Sequence, residues 1–150
     1  MLKSCNPLLG PLVPVVKLLG AMLGKDYEIV LHDVSGEEPF IVAIENGEIS
    51  GRDINSSMTD FGYFLMSSPE AEGVDHVANY PSETGTGKSL RSGVALIRDG
   101  DHKLIGFLCI NCDMARGQVL KDLGGFLTEL QPLSFRGLEY ERISRINDTS

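Results

Sequence analysis

Four stretches of the chain carry the apolar, β-branched and aromatic residues that are typical of β-strands. The first two are Tyr27–Val34, whose apolar positions alternate imperfectly, and Pro39–Glu45. Two longer runs, about Ser89–Arg98 and Lys103–Asn111, are separated by the polar turn Asp99–His102. This arrangement predicts a β-hairpin within a sheet that is mainly antiparallel.

Helical periodicity is clearest near the N-terminus. Pro11 and Pro14 suit the first turn of a helix, and Gly24 is a good C-terminal stop. Residues at helical spacing form one apolar stripe: Leu12, Val15, Leu19 and Met22, widened by Val13, Val16 and Leu23. Because this face is so wide, we expect the helix to be buried on two sides or shared with another chain.

The middle of the chain carries weaker signals of secondary structure. Asn46-Gly47 predicts a tight turn from which Glu48–Ser50 returns as a strand. Ser57 or Thr59 is suited to cap a short helix that carries Phe61, Phe64 and Leu65. Residues 67–80 show little periodicity and predict an irregular path with a short helical turn over the surface.

The C-terminal part predicts one further helix. Asp113 is placed to cap it, Gly124-Gly125 weakens it and Pro132 ends it. Its apolar residues are Val119, Leu120, Leu123, Phe126, Leu127 and Leu130. Residues 133–146 predict another amphipathic piece. The element order predicts an α+β fold, with one antiparallel sheet, flanking short helices, an apolar N-terminal helix and a C-terminal helix.

Composition and charge narrow the functional classes. The 150 residues suit one domain, and a net charge of −8 makes the chain a poor binder of nucleic acid or of an anionic membrane surface. The three cysteines are an odd number, which argues against a disulfide framework and favours a reducing cytoplasm. The apolar segment 8–23 is too short and too interrupted to cross a bilayer.

Five local segments resemble the YheO-like PAS domain family of bacterial transcriptional regulators. They are EIVLHDVS, AIENGEISGR, SSMTDFG, KSLRSGVALIRD and LIGFLCINCD, between residues 28 and 113. The resemblance implies a PAS-like sensor domain over residues 11–131, preceded by a loose N-terminus, residues 1–10. Members typically continue into a helix-turn-helix DNA-binding region, so residues 132–150 are expected to be a tail or a linker toward a missing region of that kind.

Five residues are candidates for contacts with a ligand: His32, Arg91, Ser92, Cys109 and Asn111. His32 lies at a strand end and either contacts a ligand or satisfies the backbone. Arg91 is able to clamp a carboxylate, or forms a surface ion pair of little energetic value. Asn111 either binds a ligand or fixes the following turn. Cys109 is by default a small buried residue.

Two motifs imitate known chemistry without its structural context. Cys109 and Cys112 form a CxxC, but residues three apart on a strand face opposite sides, so a metal or dithiol role is disfavoured. The segment Ser82–Ser89, SETGTGKS, imitates a phosphate-binding loop, but it precedes a strand rather than a helix and lacks the first glycine.

These observations predict a sensory PAS domain, not an enzyme, that passes a small-molecule signal through the packing of a homodimer. The candidate dimer surfaces are the N-terminal and C-terminal helices. No haem, flavin or metal is expected, and any ligand is a small organic molecule. DNA would be reached through a missing or partner helix-turn-helix, and the expected location is the cytoplasm.

Two alternatives remain open. A ligand-free module that only dimerises predicts no pocket with convergent polar groups. A small enzyme predicts that at least two of His32, Cys109 and Arg91 meet in one cleft with perturbed pKa values.

Overall fold

Five antiparallel strands make the sheet on which the candidate site is built. The computed structural model describes residues 4–56 and 58–130, and the backbone alone of residues 133–135 and 138–140. The strands are β1 (Tyr27–Asp33), β2 (Phe40–Glu45), β3 (His76–Glu83), β4 (Ser89–Arg98) and β5 (Leu104–Asp113). Their order across the sheet is β2-β1-β5-β4-β3, so β2 and β3 are the edges. This confirms the predicted α+β class and the long hairpin.

Three helices accompany the sheet strands along the chain. They are α1 (Val13–Leu23), α2 (Asp60–Ser67) and α3 (Ala115–Thr128). Short 3-10 turns occur at Gly10–Leu12, Gly47–Ile49 and Pro69–Ala71. The chain divides into two compact units, Met1–Ala115 and Arg116–Ser150. No helix within the described residues is both long enough and apolar enough to cross a membrane.

The sheet of the first unit is packed on both faces. One face contacts α1 and the segment before it, where Leu9, Val16, Ile29, Leu31 and Ile105 form a fully buried cluster. The other face packs a second cluster beneath α2, made of Val34, Met58, Leu65, Ala71, Val94, Leu96 and Phe107. Burial on both faces explains why β1 is almost continuously buried and why its apolar positions alternate imperfectly.

The segment before α1 differs from the expectation of a loose N-terminus at residues 1–10. Leu9 is completely buried, and the Asn6 backbone N–H donates to Asp33 Oδ2 at 2.7 Å. Gly106 makes room for this packing, because a Cβ there would lie 2.7 Å from a Leu9 methyl carbon. Six residues before a helix are too few to show a periodicity, so sequence patterns did not reveal this anchor. Residues 1–3 lie outside the described part.

The turn after β2 fixes the end of α1 as well as its own loop. Asn46 has a φ of 58°, and its Nδ2 donates to the carbonyls of Gly20, Gly24 and Tyr27 at 3.2, 3.0 and 2.8 Å. The predicted turn at Asn46-Gly47 is therefore present, but Glu48–Ser50 does not return as a strand. Instead, the Arg52 N–H donates to the Gly47 carbonyl at 3.1 Å and closes a compact loop.

Helix α2 confirms the predicted cap and separates two phenylalanines. Thr59 Oγ1 accepts from the Gly62 N–H at 3.3 Å, as expected of an N-cap residue. Phe61 packs against the second cluster, whereas Phe64, three residues later, is 54% exposed. The two rings therefore offer a matched pair for substitution, one facing the sheet and one facing solvent.

Strand β3 was missed from the sequence, which predicted an irregular surface path for residues 67–80. It is an edge strand whose register shifts between Val77 and Tyr80. Asn79 has a φ of 60° at this irregularity, and Pro81 follows. A proline and a bulge are common on edge strands, where they discourage pairing with other chains, but they also remove the alternation that identifies a strand.

The second unit contains α3 and a short antiparallel pair. The predicted helix is present but ends at Thr128, before Leu130. The six apolar residues predicted for it are all more than half exposed: Val119, Leu120, Leu123, Phe126, Leu127 and Leu130. Strands β6 (Leu133–Phe135) and β7 (Leu138–Tyr140) pair within the stretch predicted as an amphipathic piece. Pro132 and residues 141–146 lie outside the described residues.

Candidate functional site

A cavity of about 370 Å³ lies between the sheet and α2. Its apolar lining comes from both layers: Met58, Phe61 and Leu65 on the helix side, and Leu90, Val94 and Phe107 on the sheet. The Phe61 and Tyr80 rings meet with their centroids 4.8 Å apart. This volume is within the range of pockets that hold small organic molecules.

Strand alternation delivers polar side chains to the same cavity. Glu28 and His32 lie on one face of β1, Ser92 on β4, and Cys109 and Asn111 on β5. Glu28, His32 and Ser92 are each at most 2% exposed. Buried polar groups are stable only when they are hydrogen bonded, so their partners decide what the site can do.

Most of these groups are connected by hydrogen bonds that end on Glu28. Ser92 Oγ donates to Asn111 Oδ1 at 2.7 Å, and Asn111 Nδ2 donates to Glu28 Oε1 at 3.0 Å. Ser50 Oγ donates to the other carboxylate oxygen of Glu28. Ser82 Oγ is hydrogen bonded to Ser92 Oγ. Such a connected network holds the wall in one arrangement.

His32 is paired with Arg52, which the closed loop after β2 brings to the cavity. Arg52 Nη2 lies 3.2 Å from His32 Nε2. Burial, and then the nearby Arg52 charge, lower the pKa of His32 to about 4. The imidazole is therefore neutral at pH 7. Because a guanidinium only donates, Nε2 accepts and the single proton lies on Nδ1. Nδ1 is buried and has no hydrogen-bond partner among the described residues.

Cys109 shares the cavity with His32, as the enzyme alternative required. Burial raises the pKa of its thiol to about 12; the Arg52 charge opposes this shift and the Glu28 charge adds to it. A thiol with this pKa stays protonated at neutral pH, and a histidine with a pKa of about 4 is a weak base. The positions meet the criterion, but the directions of both pKa shifts disfavour nucleophilic catalysis.

Four of the five predicted site residues, His32, Ser92, Cys109 and Asn111, line this cavity. Arg91 does not, because it is adjacent to Ser92 on β4 and so points to the opposite face of the sheet. There it is exposed and donates to Asn79 Oδ1 at 2.9 Å and to the Tyr27 hydroxyl at 3.4 Å.

Among the cavity residues that take part in the hydrogen bonds described above, sequence reasoning missed four: Glu28, Ser50, Arg52 and Ser82. Glu28 carried a usable signal, since it lies two and four positions before Val30 and His32 and so shares their face. Arg52 follows a turn and belongs to no periodic pattern. Its position depends on how the loop closes, which spacing along the chain does not reveal.

The CxxC motif and the segment that imitates a phosphate-binding loop both lie in structural contexts that disfavour the chemistry they imitate. Cys109 lines the cavity, whereas Cys112 does not, and both thiols are free. Thr84–Lys88 is the hairpin turn between β3 and β4: Thr84 Oγ1 accepts from the Lys88 N–H at 3.0 Å, and Lys88 Nζ lies 3.5 Å from Asp113 Oδ2. In the part of the chain that is described, no three His, Cys, Asp or Glu side chains are grouped to hold a metal ion.

Known solved structures with similar backbones are PAS and light-oxygen-voltage domains. An RNA-binding light-oxygen-voltage receptor matches 84% of this chain and 42% of its own, with a TM-score of 0.45 and 15% identity. A PAS domain from Colwellia psychrerythraea matches 67% of this chain and 98% of its own, with a TM-score of 0.43 and 17% identity.

Sequence comparison identifies relatives of higher identity. The uncharacterized protein YheO of Escherichia coli K12 is 31% identical over 102 residues, which are 67% of this chain and 42% of YheO. An uncharacterized protein of Haemophilus influenzae is 29% identical over 100 residues, 67% of this chain and 44% of that protein. The chain thus spans less than half the length of these relatives. The family model described as the YheO-like PAS domain matches residues 3–129, and the chain therefore belongs to the YheO-like PAS domain family.

Proposed function

We propose that this chain is the ligand-sensing domain of a transcriptional regulator. A small organic molecule binds in the cavity between the sheet and α2, and its presence changes the packing of the terminal helices in a homodimer. DNA is reached through a helix-turn-helix region outside this chain. PAS domains of the YheO-like family are generally regulatory or sensory, which agrees with this role.

The observation that carries the proposal is the convergence of polar groups in a cavity of ligand size. The 370 Å³ space has an apolar floor and lid, while Glu28, His32, Ser92 and Asn111 gather on one wall. A module that only dimerises has no need for a cavity with such a wall, so this geometry favours ligand binding over the ligand-free alternative.

Narrowing the cavity is expected to reduce the retention of a small molecule. The chain contains no tryptophan, so Phe61→Trp adds a single indole at the cavity, and Phe64→Trp adds one on the exposed side of the same helix. We expect native mass spectrometry to find a retained ligand in the unmodified chain and in Phe64→Trp, but at least tenfold less in Phe61→Trp.

The same pair supplies a second measurement. Because Phe61→Trp weakens binding rather than abolishing it, a compound extracted from the unmodified chain and added back in excess is expected to change the indole fluorescence of Phe61→Trp. The change should be smaller in Phe64→Trp, because residue 64 does not line the cavity, although the Phe64 ring stacks on Phe61 at 6.3 Å. A bare chain in native spectra would contradict a sensor pocket, and so would equal fluorescence responses from the two variants.

The proposed partner is a second copy of this chain, bound through α1. Val16 and Gly20 of this helix are buried, whereas Val15, Leu18 and Met22 form a stripe 38–76% exposed. Lys17 is the one charged residue of the helix, so two copies meet here with little charge repulsion despite the net charge of −8. An exposed apolar stripe of this kind is typical of a self-complementary interface.

Leu18→Glu is expected to weaken the dimer at least tenfold, because it places an uncompensated carboxylate in the proposed apolar contact. Sedimentation equilibrium measures the dissociation constant. Lys17→Glu is the control, since Lys17 is exposed on the adjoining side of the helix. Point substitution is preferable to removal of α1, because Val16 belongs to the core. Equal dissociation constants for the two variants would refute the assignment of α1 as the interface.

A further inference from the structure

We infer that the ligand of this cavity is a non-anionic molecule with a carbonyl-type acceptor at one end and an N–H or O–H donor at the other. This inference rests on the proposed function and specifies its ligand. The acceptor receives a hydrogen bond from His32 Nδ1, and the donor binds Ser82 Oγ. The reasons are the number of protons available on the polar wall and the charges around the cavity.

His32 supplies a donor that no described residue uses. Nε2 is committed to Arg52, and Nδ1 has no partner among the described residues and almost no accessible surface, so a ligand reaches it only when the side chains that cover it move aside. A buried N–H without an acceptor costs free energy. A ligand oxygen or nitrogen lone pair at this position would remove that cost, whereas a second donor would not.

Ser82 is left as an acceptor by the direction of the hydrogen-bond chain. Asn111 Nδ2 must face Glu28, since the opposite amide orientation would set two acceptors against each other, so Asn111 Oδ1 accepts from Ser92. The one hydroxyl proton of Ser92 is then used. Ser82 must therefore donate to Ser92, and its own oxygen keeps lone pairs at the β3 end of the cavity.

The charges around the cavity disfavour an anionic ligand. Of the residues that the structure describes, three acidic ones, Glu28, Asp60 and Glu83, contribute to its lining, against one basic residue, Arg52. The Arg52 guanidinium is already hydrogen bonded to His32. A carboxylate in the cavity would thus meet an excess of negative charge and lose its hydration. A carbonyl accepts the same hydrogen bond from His32 without that penalty.

A matched pair of probes tests this assignment. We would titrate the ¹⁵N-labelled chain at pH 7 with 4-hydroxybenzamide and with 4-hydroxybenzoate, which differ in an uncharged versus an anionic acceptor. Backbone amide shifts of Val94 and Cys109 report binding in the cavity. We expect the amide to bind at least tenfold more tightly than the carboxylate.

Substitutions locate the two ends of the ligand. His32→Phe keeps an aromatic ring but removes the donor, and should weaken binding of 4-hydroxybenzamide about tenfold. His32→Asn, whose side-chain N–H reaches a similar position to Nδ1, should restore most of that loss. Ser82→Ala, on the half-buried edge strand, should weaken the same probe about fivefold without affecting the fold.

Each result decides the inference. Preference for 4-hydroxybenzoate, equal binding of both probes, absence of binding by the amide in the cavity, or His32→Phe and Ser82→Ala binding as the unmodified chain does would each overturn it. Ligand retention by the unmodified chain, tested with Phe61→Trp, is a separate measurement. An anionic retained molecule would therefore overturn this ligand class while leaving the sensor function in place.

Discussion

Leu9→Ala is expected to lower the free energy of unfolding by about 3 kcal/mol, within the range found for fully buried leucines. Leu9 is completely buried and packs with Val16, Ile29, Leu31 and Ile105 on the face of the sheet opposite the cavity. Removing three carbons leaves a hole that the surroundings cannot easily fill, because Asp33 and the Asn6 N–H hold the segment in place. Urea unfolding followed by circular dichroism measures the change.

Leu8 provides the control for this experiment. It is the adjacent leucine, has the same helix-free setting and is 54% exposed. Leu8→Ala is expected to change the unfolding free energy by no more than about 0.5 kcal/mol. Small and equal effects of the two substitutions would show that the N-terminal segment is loose in solution, as the sequence pattern alone suggested.

Acidification is expected to destabilise the protein through His32, by about 3 kcal/mol in total. The folded state binds a proton at His32 only near its pKa of about 4, whereas the unfolded chain binds it near 6.5. Between these values the unfolded state holds more protons, so this contribution is complete above about pH 6.5 and is lost as the pH falls toward 4. A difference of one pKa unit between the folded and unfolded states corresponds to about 1.4 kcal/mol.

Comparing the unmodified chain with His32→Phe separates the contribution of His32 from those of the other titrating groups. His32→Phe removes it, so the stability gap between the unmodified chain and His32→Phe should shift by about 2 to 3 kcal/mol, in favour of the variant, from pH 7 to pH 4.5. A gap that stays constant with pH would mean that His32 titrates normally and is not buried as a neutral ring.

Sequence patterns predicted the fold where local preference and burial agree. Strands β1, β2, β4 and β5 were predicted because each carries a run of apolar residues, and Gly24 and Thr59 marked the ends of helices. Strand β3 and the buried Leu9 were not predicted, since Pro81 and Asn79 interrupt the strand pattern, and a single buried leucine has no period. Their positions are decided by tertiary packing.

The part of the candidate site that lies on the sheet could be predicted from the alternation of side chains along the strands. Ser92, Cys109 and Asn111 share one sheet face with His32, which alternation along paired strands indicates. Arg91 was selected for its chemistry, and its neighbour Ser92 already implied that it faces the other way. Arg52 lies in the cavity only because a loop of six residues closes on itself, a property of backbone geometry rather than of residue pattern.

The side chain of Asn46 has a mechanical consequence. One amide nitrogen connects the last turn of α1, at Gly20 and Gly24, to the loop whose far end places Arg52 beside His32. The loop that carries Arg52 and the C-terminal end of α1 are therefore held by the same side chain. Under the proposed function, a ligand that moves Arg52 would act on the end of α1 through Asn46.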